Sequence, residues 1–385
     1  MAFPKNRAGK YKMQKKGYKT FIPKPLPPDP PLEMDARILP LLSRADQTLG
    51  RLDGVAELLP NPDLFVMMYV KKEAVLSSQI EGTQASLLDV LEFEAKALDP
   101  HKPSDAKEVL NYIKAINYGI VQIKQGKNIT LPLIKKMHYY LLEGIRGGER
   151  EPGKLRAVQN WIGPPGSDIS DAQFIPPTIA DMKNALKDLI YYIRKGDNMP
   201  PLIKAGLVHS QFETIHPFLD GNGRIGRLLI TLLLTRSGHL SRPLLYLSYY
   251  FKQNRAEYYE RLQAVRDNGE WESWLEFFLD GMYHASADAI GTSKRILVLR
   301  KEQQDMILEE LGNKSGLALK MLDELFNRPL VTVNSIMDIT SLSYPNANRL
   351  ASKFEEMGVL KEITGQKRNR IYEFVKYMDI LNEGI

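Results

Sequence analysis

The chain has no cysteine in its 385 residues. That excludes a disulfide framework and any thiolate metal site, and makes a reducing cytoplasm the expected compartment. It also lacks a long hydrophobic run. The longest apolar stretch, around Leu228 to Leu234, is interrupted by Thr231, well short of the ~20 residues that span a bilayer. No membrane partner is expected. Acidic residues are missing from positions 1–28, which hold eight Lys or Arg, so the remainder of the chain sums to −2 against an overall charge of +6. The basic character is local, and the body carries no general polyanion signal. No apolar core follows this basic start, so a secretory leader is not expected there.

What is present suits a large folded chain. With 43% hydrophobic residues it can bury a sizeable core, and at roughly 100–200 residues per domain it suggests two or three domains. Residues 1–30 are basic and Pro-rich, and are expected to be flexible. Apolar residues then recur at three and four spacing for most of the chain, so the fold class is mostly α. A helical region is expected at 31–110 and a helical core at 111–290. One exception lies at 156–177, where two short β-favouring runs, 158–162 and 173–175, flank a Pro/Gly/Ser/Asp turn and suggest a β-hairpin flap on a helical body. From about 295 to 385 the texture changes again, with helical segments ending in two β-runs around a basic Gly turn.

The stretch HPFLDGNGR, residues 216–224, carries the strongest chemical signal. Upstream, Leu202, Ala205, Leu207, Val208, Phe212 and Ile215 fall at helical spacing, and Pro217 biases His216 out of the α region. His216 should therefore close a helix. Downstream, RIGRLLITLLLTRSG restarts one that is apolar nearly all round and hence buried. A Gly-rich turn at a helix N-terminus offers free N–H groups and a positive dipole end to an anion. Arg224 and Arg227 share the first turn, where positive charge opposes the dipole, an arrangement that makes sense if phosphates neutralise both. Asp220 offers the hard oxygen that Mg²⁺ prefers when it bridges phosphates. His216 has the pKa range of a general base.

HPFLDGNGRIGR resembles, at every fixed position, the Fic-domain signature His-Pro-Phe-x-Asp/Glu-Gly-Asn-Gly-Arg-x-x-Arg. LDGVAELLPNPDLF and VLSSQIEGTQASLLDVL are similar to the N-terminal region that accompanies many Fic domains, and QNWIG with FIPP is similar to their target-docking hairpin. The resemblance covers essentially residues 20–375. It implies a helical Fic core with a short β-hairpin flap, and transfer of AMP from ATP to a Ser, Thr or Tyr hydroxyl of a protein with Mg²⁺, releasing pyrophosphate. It further implies that His216 deprotonates the target hydroxyl, Asp220 holds Mg²⁺, and Phe218 anchors the loop. Gly221, Asn222, Gly223 and Gly226 would line the phosphates, Arg224 and Arg227 would grip the β and γ phosphates, and Tyr259 would lie beside the adenine unless it is a core tyrosine. The target protein would dock on the 156–177 hairpin, and self-AMPylation and a homodimer are further expectations.

SSQIEG, residues 77–82, resembles the inhibitory pattern Ser/Thr-x-x-x-Glu-Gly/Asn of one class of the family. It implies that Glu81, oriented by Ser77, pairs with Arg227 and blocks the γ-phosphate position. The segment 295–385 is similar to the winged helix-turn-helix domain attached to many such proteins. Asn346, Asn348, Arg349 and Lys353 on its helix and Lys367, Arg368 and Arg370 on its wing could contact DNA, so a winged-helix DNA-binding regulator is one alternative. Another is a metal-dependent hydrolase built on His209, Glu213 and His216, which share a helical face. His101, His138, His239 and His284 join no constellation in the sequence.

Overall fold

In the computed structural model, which describes residues 7–58, 62–95, 105–145, 151–164, 166, 168–366 and 368–383, the described part of the basic N-terminal segment, from residue 7 on, is folded. Strands β1 (Gly9–Met13) and β2 (Lys19–Pro23) pair antiparallel, with Tyr11 opposite Phe21. This corrects the expectation of a flexible tail. Phe21 is buried, and the Arg7 guanidinium donates to Glu272 Oε2 at 2.7 Å and to the carbonyls of Pro30 and Pro31. A buried cation so fully paired fixes the segment to the body.

The helices follow. α1 (Ile38–Leu58), α2 (Pro62–Ile80), α3 (Leu87–Glu94), α4 (Ala106–Lys124) and α5 (Leu131–Leu142) precede the flap; α6 (Ile179–Arg194), α7 (Pro201–Ile215), α8 (Asn222–Arg236), α9 (Leu247–Gln253), α10 (Arg255–Asn268) and α11 (Trp271–Leu311) come after it. α7 and α8 are buried nearly all round and lie against each other at the centre, with α4, α6 and α11 packed around them. The chemistry-bearing loop is therefore set between the two most deeply buried helices. The mostly helical fold agrees with the periodicity.

The flap is less regular than the sequence suggests. Among the described residues of 156–177 a single β-bridge joins Ile162 to Phe174. Pro164 and Pro165 follow one run and Pro176 and Pro177 the other, and a residue without an N–H cannot extend a ladder. The second run is bordered by β2 instead, where the Phe21 N–H donates to the Ile175 carbonyl at 3.1 Å.

The expected boundaries at 110/111 and 290/295 fall inside helices. Residue 110 lies within α4, and α11 continues for 41 residues through the second boundary, with buried residues from Trp271 to Ile307. The C-terminal elements are α12 (Gly316–Leu325), β3 (Leu330–Thr332), α13 (Val333–Thr340), α14 (Tyr344–Glu356), β4 (Lys361–Glu362), β5 (Ile371–Glu373) and α15 (Val375–Asn382). The sheet order is β3-β5-β4, all antiparallel, and Ser341 turns α13 into α14 at φ +58°. α15 returns to pack on α11.

Candidate functional site

α7 stops where Pro217 requires it, and His216 adopts a left-handed φ of +49°, uncommon for a residue with a Cβ. Its carbonyl is held by Arg156 Nε at 2.9 Å, and the Arg156 N–H donates to the Pro217 carbonyl at 3.0 Å. The His216 Nδ1–H faces the Glu213 carbonyl at 3.3 Å, which leaves Nε2 as the basic nitrogen. Burial pushes its pKa down to about 4, with Arg266 and Arg156 adding to the effect and the Glu213 carbonyl opposing it. The imidazole is neutral at pH 7.

The loop after it is closed by side chains. Asn222 accepts from the Phe218 N–H and donates to the Phe218 carbonyl, both at 2.9 Å, so its amide ties the loop and only its backbone is available to a ligand. Phe218 is fully buried and stacks on His138 with ring centroids 3.8 Å apart. His138 Nδ1 accepts from the Gly153 N–H, so Nε2 carries the proton and donates to the Asp220 carbonyl, each at 2.9 Å. Burial lowers the His138 pKa to about 4. Gly221, at φ +75°, begins α8, and the residues after it present their N–H groups to the loop mouth.

Arg227 Nε donates to Ser77 Oγ and Nη2 to the Ser77 carbonyl, both at 2.8 Å, while Nη2 also meets Glu81 Oε1 at 2.7 Å. Burial works against the Arg227 charge, and the Glu81 carboxylate, with Tyr258 and Glu213 adding to it, holds the pKa above the usual guanidinium value. Glu81 stands in the turn just past the end of α2. A methyl at Gly223 would lie 2.1 Å from Glu81 Oε1, so glycine there lets the carboxylate sit on the start of α8. Arg224 Nη1 meets Glu108 Oε2 at 3.0 Å, with Asp220 Oδ1 at 3.5 Å from Nη2. The buried Arg227 Nη1 and Glu213 Oε1 have no hydrogen-bond partner among the described residues, and burial raises Glu213 to a pKa of about 7.

The structure thus brings together His216, Asp220, Gly221, Asn222, Gly223, Arg224, Arg227, Glu81 and Ser77. Gly226 faces elsewhere, toward Glu213 and His209. Tyr259 is 39% exposed, so the core tyrosine is its neighbour Tyr258, which is 1% exposed. The three candidate metal ligands do not converge: His209 Nε2 pairs with the Tyr258 hydroxyl at 2.8 Å amid Phe251 and Trp274, and His216 Nδ1 faces a carbonyl. Among the described residues no group of three or more His, Asp or Glu is arranged to hold a metal ion. In the C-terminal region Arg370 bonds Asn348 at 2.7 Å, Lys353 is shared by Glu310 and Glu356, and Asn346, Arg349 and Arg368 are exposed. His101 and Lys367 lie outside the described residues. Arg156, His138, Glu108 and Asn160, whose amide donates to the Phe218 carbonyl at 3.0 Å, are not singled out by the sequence. No local pattern marks them, because each acts on a residue at least 58 positions away.

Residues 39–121 match the family model described as Fic/DOC family N-terminal, and residues 128–234 match that of the Fic/DOC family. Proteins named "Protein adenylyltransferase Fic" from Drosophila grimshawi and Drosophila mojavensis are each 30% identical over 227 residues, 54% of this chain and 42% and 40% of theirs. The chain thus spans about two fifths of the length of these relatives. A Fic family protein from Desulfovibrio desulfuricans G20 superposes with a TM-score of 0.58 at 18% identity, covering 89% of this chain and 97% of that one. A Fic domain containing signaling protein from Bacteroides thetaiotaomicron VPI-5482 gives 0.50 at 17% identity, covering 67% and 97%.

Proposed function

The chain is a Fic-domain protein, and from that premise we propose that it is a self-restrained protein adenylyltransferase. The neutral His216 would take the proton of a Ser, Thr or Tyr hydroxyl through Nε2 as the oxygen attacks the α-phosphorus of ATP. The bond from that phosphorus to the bridging oxygen breaks, AMP becomes an ester of the target, and pyrophosphate leaves. The start of α8, Arg224 and Arg227 would neutralise the β and γ phosphates, and Nη1 of Arg227, without a hydrogen-bond partner among the described residues, would be one donor to them. Asp220 fits Mg²⁺ as a single hard ligand beside those phosphates, its side chain 35% exposed at the loop mouth; the ion would spread the charge of the leaving pyrophosphate. The curated relatives bear the same activity in their names.

The observation that carries the restrained form is the Ser77–Arg227–Glu81 arrangement, because a γ-phosphate and Glu81 compete for one guanidinium. The target would dock on the 156–177 segment, and we read the C-terminal region from about 295 to 385 as a winged-helix module on the order of its described elements. The decisive experiment is intact-protein mass spectrometry with ATP and Mg²⁺ on the wild type, Glu81→Gly and Glu81→Gly with His216→Ala. Added AMP should be sparse in the first, abundant in the second and absent in the third. Equal labelling of the first two would end the restraint reading, and labelling of the third would remove His216 from the reaction.

A further inference from the structure

Both arginines at the start of α8 are held by carboxylates from outside the loop, and these two carboxylates are themselves connected. Arg227 is held by Glu81, in the turn after α2; Arg224 is held by Glu108, in the first turn of α4. Thr83, two residues beyond Glu81, donates its hydroxyl to Glu108 Oε2 at 3.3 Å, the same oxygen that accepts Arg224 Nη1. One residue further, the Gln84 N–H donates to Asp105 Oδ2 at 2.9 Å, at the cap position of α4. The turn that delivers Glu81 is therefore tied to α4 at two points. Gly82, at φ +102°, gives this turn a backbone geometry that a side chain would strain.

Resting on the nucleotide reading of the site, we propose that Glu108 is a positioning residue that latches the inhibitory turn to Arg224, so that both arginines are withheld from the nucleotide together and released together. While Thr83 and Arg224 share one Glu108 oxygen, motion of the 81–84 turn and reorientation of Arg224 toward a phosphate each weaken the other's hold. The Arg224 side chain is 3% exposed and that of Glu108 20%. The pair is therefore poorly screened, and a phosphate must match it to displace it. A carboxylate that only braced the fold would need no connection to the turn carrying Glu81.

The test measures binding of a non-hydrolysable ATP analogue to the whole chain by calorimetry, so that it does not depend on group transfer. Thr83→Val removes the connecting hydrogen bond and leaves both carboxylates; Glu108→Gln keeps the shape and removes the charge. One weakened hydrogen bond is worth about tenfold in affinity at most, so Thr83→Val should tighten the analogue by about threefold and Glu108→Gln by about tenfold. In a Glu81→Gly background each should add less than about twofold, because the latch has already lost what it restrains. Unchanged or weaker binding in both single variants, while Glu81→Gly binds tightly, overturns the latch alone. Gains that multiply in full with Glu81→Gly also overturn it, since the two contacts would then act separately. An analogue that binds none of the variants, Glu81→Gly included, overturns the nucleotide reading and the latch with it.

Discussion

A histidine that starts neutral needs no pH near its ordinary pKa to act as a base. Burial places His216 at about 4 in the unliganded chain, so kcat/KM for AMP transfer should fall on the acid side with an apparent pKa near 4. A limb near the ordinary value of about 6.5 would mean that the imidazole is solvated in the working enzyme. His216→Ala should abolish transfer yet keep the thermal upshift given by ATP, because the residue acts on the hydroxyl and not on the phosphates. His138 is the loop's hidden support. His138→Ala strands the Gly153 N–H and removes both the donor to Asp220 and the stack on Phe218, at a cost of about 3 kcal/mol. Its melting temperature should drop by several degrees, and its activity should fall although no reacting atom is touched. The sequence shows His216 because its neighbours are local: Pro217 ends one helix and Gly221 starts the next. It hides His138 and Glu108, whose partners lie 82 and 116 residues away.

Individual elements were legible in proportion to how far local chemistry decides them. α7 and α8 announce themselves by apolar content, whereas α5 and α6, whose starts are capped by the Thr130 and Thr178 side chains, are not set apart from the general helical periodicity. The flap reads as a hairpin because β-favouring residues fall on both sides of a turn, while the prolines that limit pairing to the Ile162–Phe174 bridge stand just outside. β1 and β2 are hidden for the opposite reason: a lysine-rich pair looks solvated until Glu272, 265 residues away from Arg7, supplies that residue's counter-charge. Arg7→Ala should leave the Glu272 carboxylate buried and short of its cation, costing about 3–5 kcal/mol. Arg7→Ala with Glu272→Gln should recover part of that loss in a urea titration. No recovery would mean that the hairpin is held by Phe21 and the backbone alone.

At the scale of the whole molecule, the periodicity carries the helical class, while the boundaries expected at 110/111 and 290/295 fall within α4 and α11. A change of sequence texture near 295 marks where the partners of α11 change, and the helix itself runs on unbroken. α15 closes the connection: Arg295 pairs with Glu383, and Lys72 of α2 donates to the Glu383 carbonyl at 3.1 Å. The C-terminal elements should therefore unfold with the rest. Fluorescence of Trp161, Trp271 and Trp274, all outside those elements, should trace the same urea transition as far-UV circular dichroism, which reports every helix. A separate dichroism step without a fluorescence change would show that the C-terminal elements melt independently.

The 41-residue α11 has a further consequence when it is treated as a rod. At 1.5 Å per residue it measures about 60 Å, and a tilt of roughly 5° at one end would carry the other through about 5 Å. A flexible tether lets its two ends sample a cloud of separations, whereas this spine sets one distance and one rotational phase. Anything gripped at the C-terminal end is thus presented to the loop of His216 at a fixed range and bearing, like a workpiece in a jig. Inserting one residue into the middle of α11 would turn that bearing by about 100°, and inserting seven would nearly restore it while lengthening the reach by about 10 Å.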